Sequence, residues 1–66
     1  MLSDELSKAL TKYHITVRAK NKKFIISKDK ECTLDIINIQ EFLSAKFNNR
    51  FKYLDKNENE FELIIK

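Results

Sequence analysis

Residues 50–66, RFKYLDKNENEFELIIK, contain the clearest structural pattern of the chain. Large apolar residues alternate with more polar ones on both sides of a polar run, with the two-residue period of a β-strand. These apolar residues are Phe51, Tyr53, Phe61, Leu63 and Ile65. A reversal within Asp55–Asn59, with a loop of three or five residues, predicts a hairpin in which Phe51 faces Leu63 and Tyr53 faces Phe61. We expect the apolar face of this hairpin to anchor the core.

Length and composition predict one small globular domain spanning residues 1–66. Apolar residues make up 42% of the chain and charged residues 35%, and the single cysteine excludes an internal disulfide. Residues 1–13 do not have the pattern of a secretory leader, and no apolar run approaches the roughly 18 residues of a membrane span. A cytoplasmic location is therefore expected. Because glycine and proline are absent, we expect asparagine to form the left-handed turns.

The first 27 residues predict a helix followed by a hairpin. Apolar residues recur at helical spacing up to Tyr13, and Ser3 is a candidate N-cap. From His14 the period becomes two, which predicts a strand beginning at that residue. A tight reversal at residues 21–22 pairs Ala19 with Phe24, and it likewise pairs Val17 with Ile26 and Arg18 with Ile25. The tip and outer face of this first hairpin carry Arg18, Lys20, Lys22 and Lys23.

Residues 32–39 allow two interpretations. Thr33 could cap one long helix that runs to Phe47. Alternatively, residues 34–37 form a short strand and the helix begins at Asn38, with Glu41 completing a capping box and Ile37 packing on Phe42. The capping signature favours the late start. In both cases Asn48 and Asn49 are expected to end the helix in left-handed conformations.

Together these segments predict an α+β fold. We expect an antiparallel sheet of four, possibly five, strands built from two β-hairpins, with two helices packed on one face and the order α-β-β-(β)-α-β-β. This order is loosely similar to that of small double-stranded-RNA-binding and toxin-type α+β domains, a similarity that implies a fold and no activity, because no motif accompanies it.

No motif in the chain predicts catalysis, a cofactor or a metal. Asp55, Asn57 and Asn59 match the start of an EF-hand calcium loop, but Glu60 stands where that loop needs glycine and Lys66 where it needs glutamate. His14 and Cys32 are too few to form a structural zinc site within one chain. Glu60 and Glu62 share a strand face, but the predicted register places Lys52 opposite Glu62, so a cross-strand ion pair explains that carboxylate without catalysis.

The charge of the chain is unevenly distributed. Residues 1–30 hold eight Lys or Arg and three acidic residues, a net charge of +5, whereas residues 31–66 hold five and seven, a net charge of −2. A basic hairpin can follow a phosphate backbone, which makes nucleic acid a candidate partner. The outer face of the hairpin has no aromatic residue for base stacking, however. Lysine-rich hairpins also serve simply as soluble sheet edges.

The predicted sheet face opposite the helices also carries apolar residues. Ile25, Leu54 and Ile64 are expected to point away from the core, and the charged residues around them are Arg18, Arg50, Lys52 and Glu62. Apolar residues surrounded by charge are typical of protein interfaces, although isolated surface aliphatics are also common.

These patterns predict a non-enzymatic binding or regulatory protein that docks to a macromolecule, most readily another protein, and acts by occupancy as an inhibitor or adaptor. Inhibitors encoded by phages and other mobile elements share this size and fold type. The predicted contact residues are Arg18, Lys20, Lys22, Lys23, Ile25, Arg50, Lys52, Leu54 and Ile64. The alternatives are a nucleic-acid-binding protein that uses the basic hairpin and a homodimeric accessory subunit. No small-molecule substrate and no membrane partner is expected.

Overall fold

A computed structural model describes residues 2–66, which form two helices and one four-stranded antiparallel sheet. The elements in chain order are α1 (Leu2–Thr11), β1 (Ile15–Lys20), β2 (Lys23–Lys28), α2 (Ile36–Lys46), β3 (Phe51–Asp55) and β4 (Glu60–Ile65). The strand order in the sheet is β1-β2-β4-β3. The α+β fold with two hairpins is therefore confirmed. Met1, which belongs to the predicted domain of residues 1–66, lies outside the described residues.

Both helices pack on the same face of the sheet. Their buried residues form one cluster with alternate residues of the strands, because side chains two apart on a strand share a face. The buried apolar residues are Leu6, Ala9, Leu10, Ile15, Ile26, Ile39, Leu43, Phe47, Phe51, Phe61 and Leu63. No helix formed by residues 2–66 lies on the opposite face of the sheet. Neither helix among residues 2–66 is long and apolar enough to cross a membrane.

The register of the first hairpin is as predicted. Ala19 pairs with Phe24, Val17 with Ile26, and Arg18 with Ile25. Asn21, in the two-residue turn, has a φ of 56°. The side chain of asparagine tolerates this left-handed conformation, which allows a tight reversal without glycine.

The register of the second hairpin differs from the prediction by two residues. Phe51 pairs with Ile65 and Tyr53 with Leu63. The reversal is centred on Glu58, because the Lys56 N–H donates to the Glu60 carbonyl at 3.0 Å and the Asn59 N–H donates to Asn57 Oδ1 at 2.8 Å. This asparagine turn moves the loop by one position. A shift of two residues keeps every side chain on its predicted face but changes its cross-strand neighbours.

The predicted start points of α1 and β1 are wrong by one or two residues. Ser3 lies inside α1 and does not cap it. His14 has a φ of 63° and belongs to the turn before β1, which begins at Ile15. This turn is held in place by two contacts of His14, whose carbonyl accepts a hydrogen bond from the Asp29 N–H at 2.9 Å and whose Nδ1 lies 3.3 Å from Glu31 Oε2.

Helix α2 begins between the two predicted positions, and no strand lies within residues 29–35, so the possible fifth strand is absent. The N-cap is Asp35, and its N–H donates to Asn38 Oδ1 at 3.4 Å. Asn38 therefore acts at the third helical position and not as the cap. The predicted left-handed end is confirmed, because Asn48 and Asn49 have φ values of 57° and 56° and the Asn49 N–H donates to the Ser44 carbonyl at 2.9 Å.

We predict that Asn21→Ala lowers the free energy of unfolding by roughly 1 kcal/mol, because alanine lacks the local hydrogen bonds that ease a left-handed conformation. Asn21→Gly should retain the wild-type stability. Asn59→Ala is the matched control, since Asn59 is exposed and its φ is not positive. Urea denaturation of the three variants measures these differences. An equal loss in Asn21→Ala and Asn59→Ala would contradict the assignment of strain to position 21.

Candidate functional site

The uncovered face of the sheet, called the open face below, is the main candidate site. It consists of alternate strand residues that point away from the helices: Thr16, Arg18, Lys20, Lys23, Ile25, Ser27, Lys52, Leu54, Glu60, Glu62 and Ile64. Pairing across all four strands places them in rows. One row runs Lys20, Lys23, Ile64, Lys52, and the next runs Arg18, Ile25, Glu62, Leu54.

The three predicted apolar contact residues form one group on the open face. Ile25 and Leu54 stand on either side of Glu62 in the same row, and Ile64 follows Glu62 on β4. Ile64 is therefore a diagonal neighbour of both, at roughly 7–8 Å. Leu54 is the most exposed of the three, at 53%. The structure thus brings Ile25 close to Leu54, which is 29 positions later in the chain, and to Ile64, which is 39 positions later.

Glu62 is the buried centre of the open face, with only 4% of its surface exposed. Its Oε2 atom lies 3.0 Å from Lys23 Nζ and 3.2 Å from Lys56 Nζ. The hydrogen bond from Lys23 lowers the pKa of Glu62 below its ordinary value of 4.5, against an opposing effect of burial, and the hydrogen bond from Lys56 and the charges of both lysines lower it further. Glu62 therefore remains ionised, and its two lysines lie over the face that it occupies.

Glu60 organises the neighbouring row. Its Oε2 accepts a hydrogen bond from Ser27 Oγ at 3.0 Å and lies 3.9 Å from Arg18 Nη2, while its Oε1 accepts one from Asn57 Nδ2 at 3.3 Å. Both carboxylates on the open face are thus engaged with partners of the same chain. The predicted pair of Glu62 with Lys52 is wrong, because the two-residue shift in register places Ile64 opposite Lys52.

Charge is separated between the two ends of the sheet. The end that contains the β1–β2 turn, called the basic end below, comprises residues 19–24, 50–52 and 64–66. Its charged residues are all cationic: Lys20, Lys22, Lys23, Arg50, Lys52 and Lys66. The other end comprises residues 15–16, 27–31 and 55–60 and holds three lysines with five acidic residues. This separation does not follow the two halves of the sequence, because the basic end takes Lys20, Lys22 and Lys23 from the first half and Arg50, Lys52 and Lys66 from the second.

Seven of the nine predicted contact residues lie on the open face. Lys22 is exposed in the turn beside it. Arg50 precedes β3 and lines a groove next to the helices, so it belongs to a different surface. The sequence interpretation missed Lys56 and the central position of Glu62. The correct register of the second hairpin would have identified both residues, because a turn centred on Glu58 places Lys56 diagonal to Glu62.

Among residues 2–66, no group of three or more His, Cys, Asp or Glu side chains could hold a metal ion. The oxygen of Asn57, part of the calcium-like sequence, accepts the Asn59 N–H and so helps to close the turn. Cys32 Sγ lies 3.8 Å from the Leu34 carbonyl. The calcium-like sequence is therefore part of a turn, and Cys32 carries a half-buried thiol.

Comparison with known proteins yields no match: no family model, no curated protein and no solved structure is significantly similar to this chain. The functional argument therefore relies on the geometry and chemistry of the chain itself.

We predict that Glu62→Gln is less stable than the wild type at neutral pH, because the substitution leaves Lys23 and Lys56 without their anionic partner. The folded pKa of Glu62 is lowered, so its contribution is complete above the unfolded value near 4.5 and is lost as the pH falls through the folded value. The difference in free energy of unfolding should shrink accordingly in urea titrations at decreasing pH.

Glu58→Gln is the control for this experiment, since it removes the same charge from an exposed turn position. Its stability should follow that of the wild type across the pH range. A difference between wild type and Glu62→Gln that does not change with pH would contradict the role assigned to the carboxylate.

Proposed function

We propose that this protein is a non-enzymatic, cytosolic binding protein that docks to an acidic surface of another protein through its open face and acts by occupancy, as an inhibitor or adaptor. The observation that carries the proposal is the group Ile25, Leu54 and Ile64, which is left uncovered on a sheet whose other face packs against both helices. An uncovered sheet face with apolar residues at its centre is suited to burial against a partner.

The apolar group would supply affinity. Leu54 is 53% exposed and lies beside the buried Glu62, so a partner side chain placed there would displace water from Leu54 without having to desolvate a free carboxylate. Interfaces concentrate their binding energy in such central positions, which polar residues surround. The lysines that neutralise Glu62 leave the centre of the open face without an unpaired acid.

The basic end would orient the partner and raise the rate of association. Lys20 and Lys52 lie in the same row of the open face as Ile64, and Lys22 lies in the adjoining turn. None of these three forms an ion pair with the described residues of the chain, so their charges are available to an acidic partner. Electrostatic complementarity of this kind accelerates encounter and selects among partners.

Nucleic acid is the second candidate partner, and the basic end favours it, because it holds no acidic residue and its Lys20, Lys22 and Lys52 form no ion pair with the described residues. A phosphate backbone would satisfy such a surface without reading sequence. The open face has no aromatic side chain on which a base could stack. We therefore place protein docking first. A homodimer formed through the same open face is the third candidate.

We predict that Leu54→Lys weakens binding to the partner by at least about tenfold, since a central interface residue commonly contributes 1 kcal/mol or more. Ile37→Lys is the matched control. Ile37 is 68% exposed, but it lies on α2, away from the open face. Capture from nuclease-treated extract of the source cells identifies the partner, and calorimetry with the purified partner gives the affinities. Circular dichroism verifies that both variants fold.

Equal binding by wild type and Leu54→Lys would contradict docking through the open face. The nucleic-acid candidate is tested by titrating mixed-sequence DNA and RNA at several salt concentrations. Nucleic acid would be favoured by binding that weakens steeply as the salt concentration rises. The joint substitution of Lys20, Lys22 and Lys23 with glutamate should remove this steep salt dependence. Sedimentation of the protein alone at high concentration tests the homodimer, which a monomeric result would exclude.

A further inference from the structure

A second basic surface lies on the helical side of the protein, apart from the open face. It is a groove of about 510 Å³ between α1 and the C-terminal end of α2. The residues that line it are Glu5, Lys8, Ala9, Lys12, Lys46, Phe47, Asn48 and Arg50. Four of these eight side chains are cationic and one is acidic. The groove therefore concentrates positive charge outside the site discussed above.

The fold brings these cations together from distant parts of the chain. Lys8 lies in the last turn of α1, and Lys12 follows directly after the end of that helix. Lys46 lies in the last turn of α2, and Arg50 follows the left-handed residues 48–49. The Arg50 carbonyl accepts a hydrogen bond from the Lys66 N–H at 3.0 Å, which fixes the backbone at the edge of the groove. A helix dipole favours a lysine near the C-terminal end of its own helix. It does not explain why cations from both helical segments and Arg50 line the same groove.

Within the described part of the chain, the four cations of the groove outnumber its one carboxylate, Glu5. Lys8, Lys46 and Arg50 form none of the ion pairs described for residues 2–66, and Lys12 Nζ lies 5.3 Å from the centre of the Tyr13 ring. The carboxylates that pair with other cations, Glu60 and Glu62, are on the opposite side of the sheet. The groove thus has a surplus of cations, which an anionic ligand would offset.

We propose that this groove binds a small ligand that carries at least two phosphate groups. An arginine offers a planar pair of donors that matches two phosphate oxygens, and lysines add point charges around it. Cations line the groove from the α1 side and from the α2 side, so a ligand with two linked phosphates offers a separate anionic group to each side. Ala9 and Phe47, each 6% exposed, are the apolar residues that line the groove between these cations.

Calorimetric titration of the full chain with inorganic pyrophosphate at constant ionic strength tests this proposal. We expect saturable binding to one site, and weaker binding of inorganic phosphate. The double variant Lys46→Gln/Arg50→Gln should bind pyrophosphate at least about tenfold more weakly, since it removes two charge-assisted contacts. Lys28→Gln/Lys30→Gln, which makes the same change in net charge at the other end of the sheet, should bind within about twofold of the wild type, because its charges are remote.

Other outcomes would overturn the proposal. No saturable binding of pyrophosphate would remove the site, and an equal loss in the two double variants would show that only net charge matters. A single-stranded oligonucleotide that binds while pyrophosphate does not, and that binds more weakly to Lys46→Gln/Arg50→Gln than to Lys28→Gln/Lys30→Gln, would assign the groove to nucleic acid. The proposal is independent of docking through the open face, because Leu54→Lys should retain wild-type affinity for pyrophosphate even where it loses the protein partner.

Discussion

The pairing of β2 with β4 is the contact on which the rest of the structure depends. Each hairpin is local in sequence, but this pairing joins the two into one sheet and places Ile26 opposite Phe61 and Phe24 opposite Leu63. Ile26, Phe61 and Leu63 have no exposed surface, and both helices pack against them. A lone hairpin is at best marginally stable, whereas a four-stranded sheet with one covered face forms a core. The stability of a chain of 66 residues therefore depends on contacts between its two halves.

The same pairing creates the open face. It places Lys23 of β2 within 3.0 Å of Glu62 of β4 and positions Ile25 beside that carboxylate. Burial opposes the charge of Glu62, but two lysines and their hydrogen bonds outweigh it, and its pKa falls. A buried, paired carboxylate in the middle of an otherwise apolar group is compatible with an interface, because a partner meets aliphatic side chains and lysines and not a free acid. The internal ion pairs thus serve both the sheet and the surface that we propose for docking.

The distribution of charge explains how one small domain can present two separate basic surfaces. Asn48 and Asn49 end α2 with a left-handed turn, after which Arg50 lines the groove beside the helices and Lys52, two residues on, lies on the open face. This turn therefore separates two cations that are near neighbours in sequence. Acidic residues collect at the opposite end of the sheet, around the β3–β4 turn. Net charge alone, +3, would not reveal this separation.

Local patterns in the sequence determined the two helices and the four strands, the register of the first hairpin and the face to which each strand residue belongs, but they did not decide whether a fifth strand forms. They also determined the left-handed ends, because asparagine is the residue best suited to them in a chain without glycine. Tertiary structure decided the second register, the start of α2 and the pairing of β2 with β4. Each of these depends on contacts between distant residues, or on a turn in which several positions compete, and periodicity cannot rank such alternatives. For this reason the sequence identified Ile25, Leu54 and Ile64 as surface residues, while only the folded sheet placed Glu62 and its lysines among them and moved Arg50 to another surface.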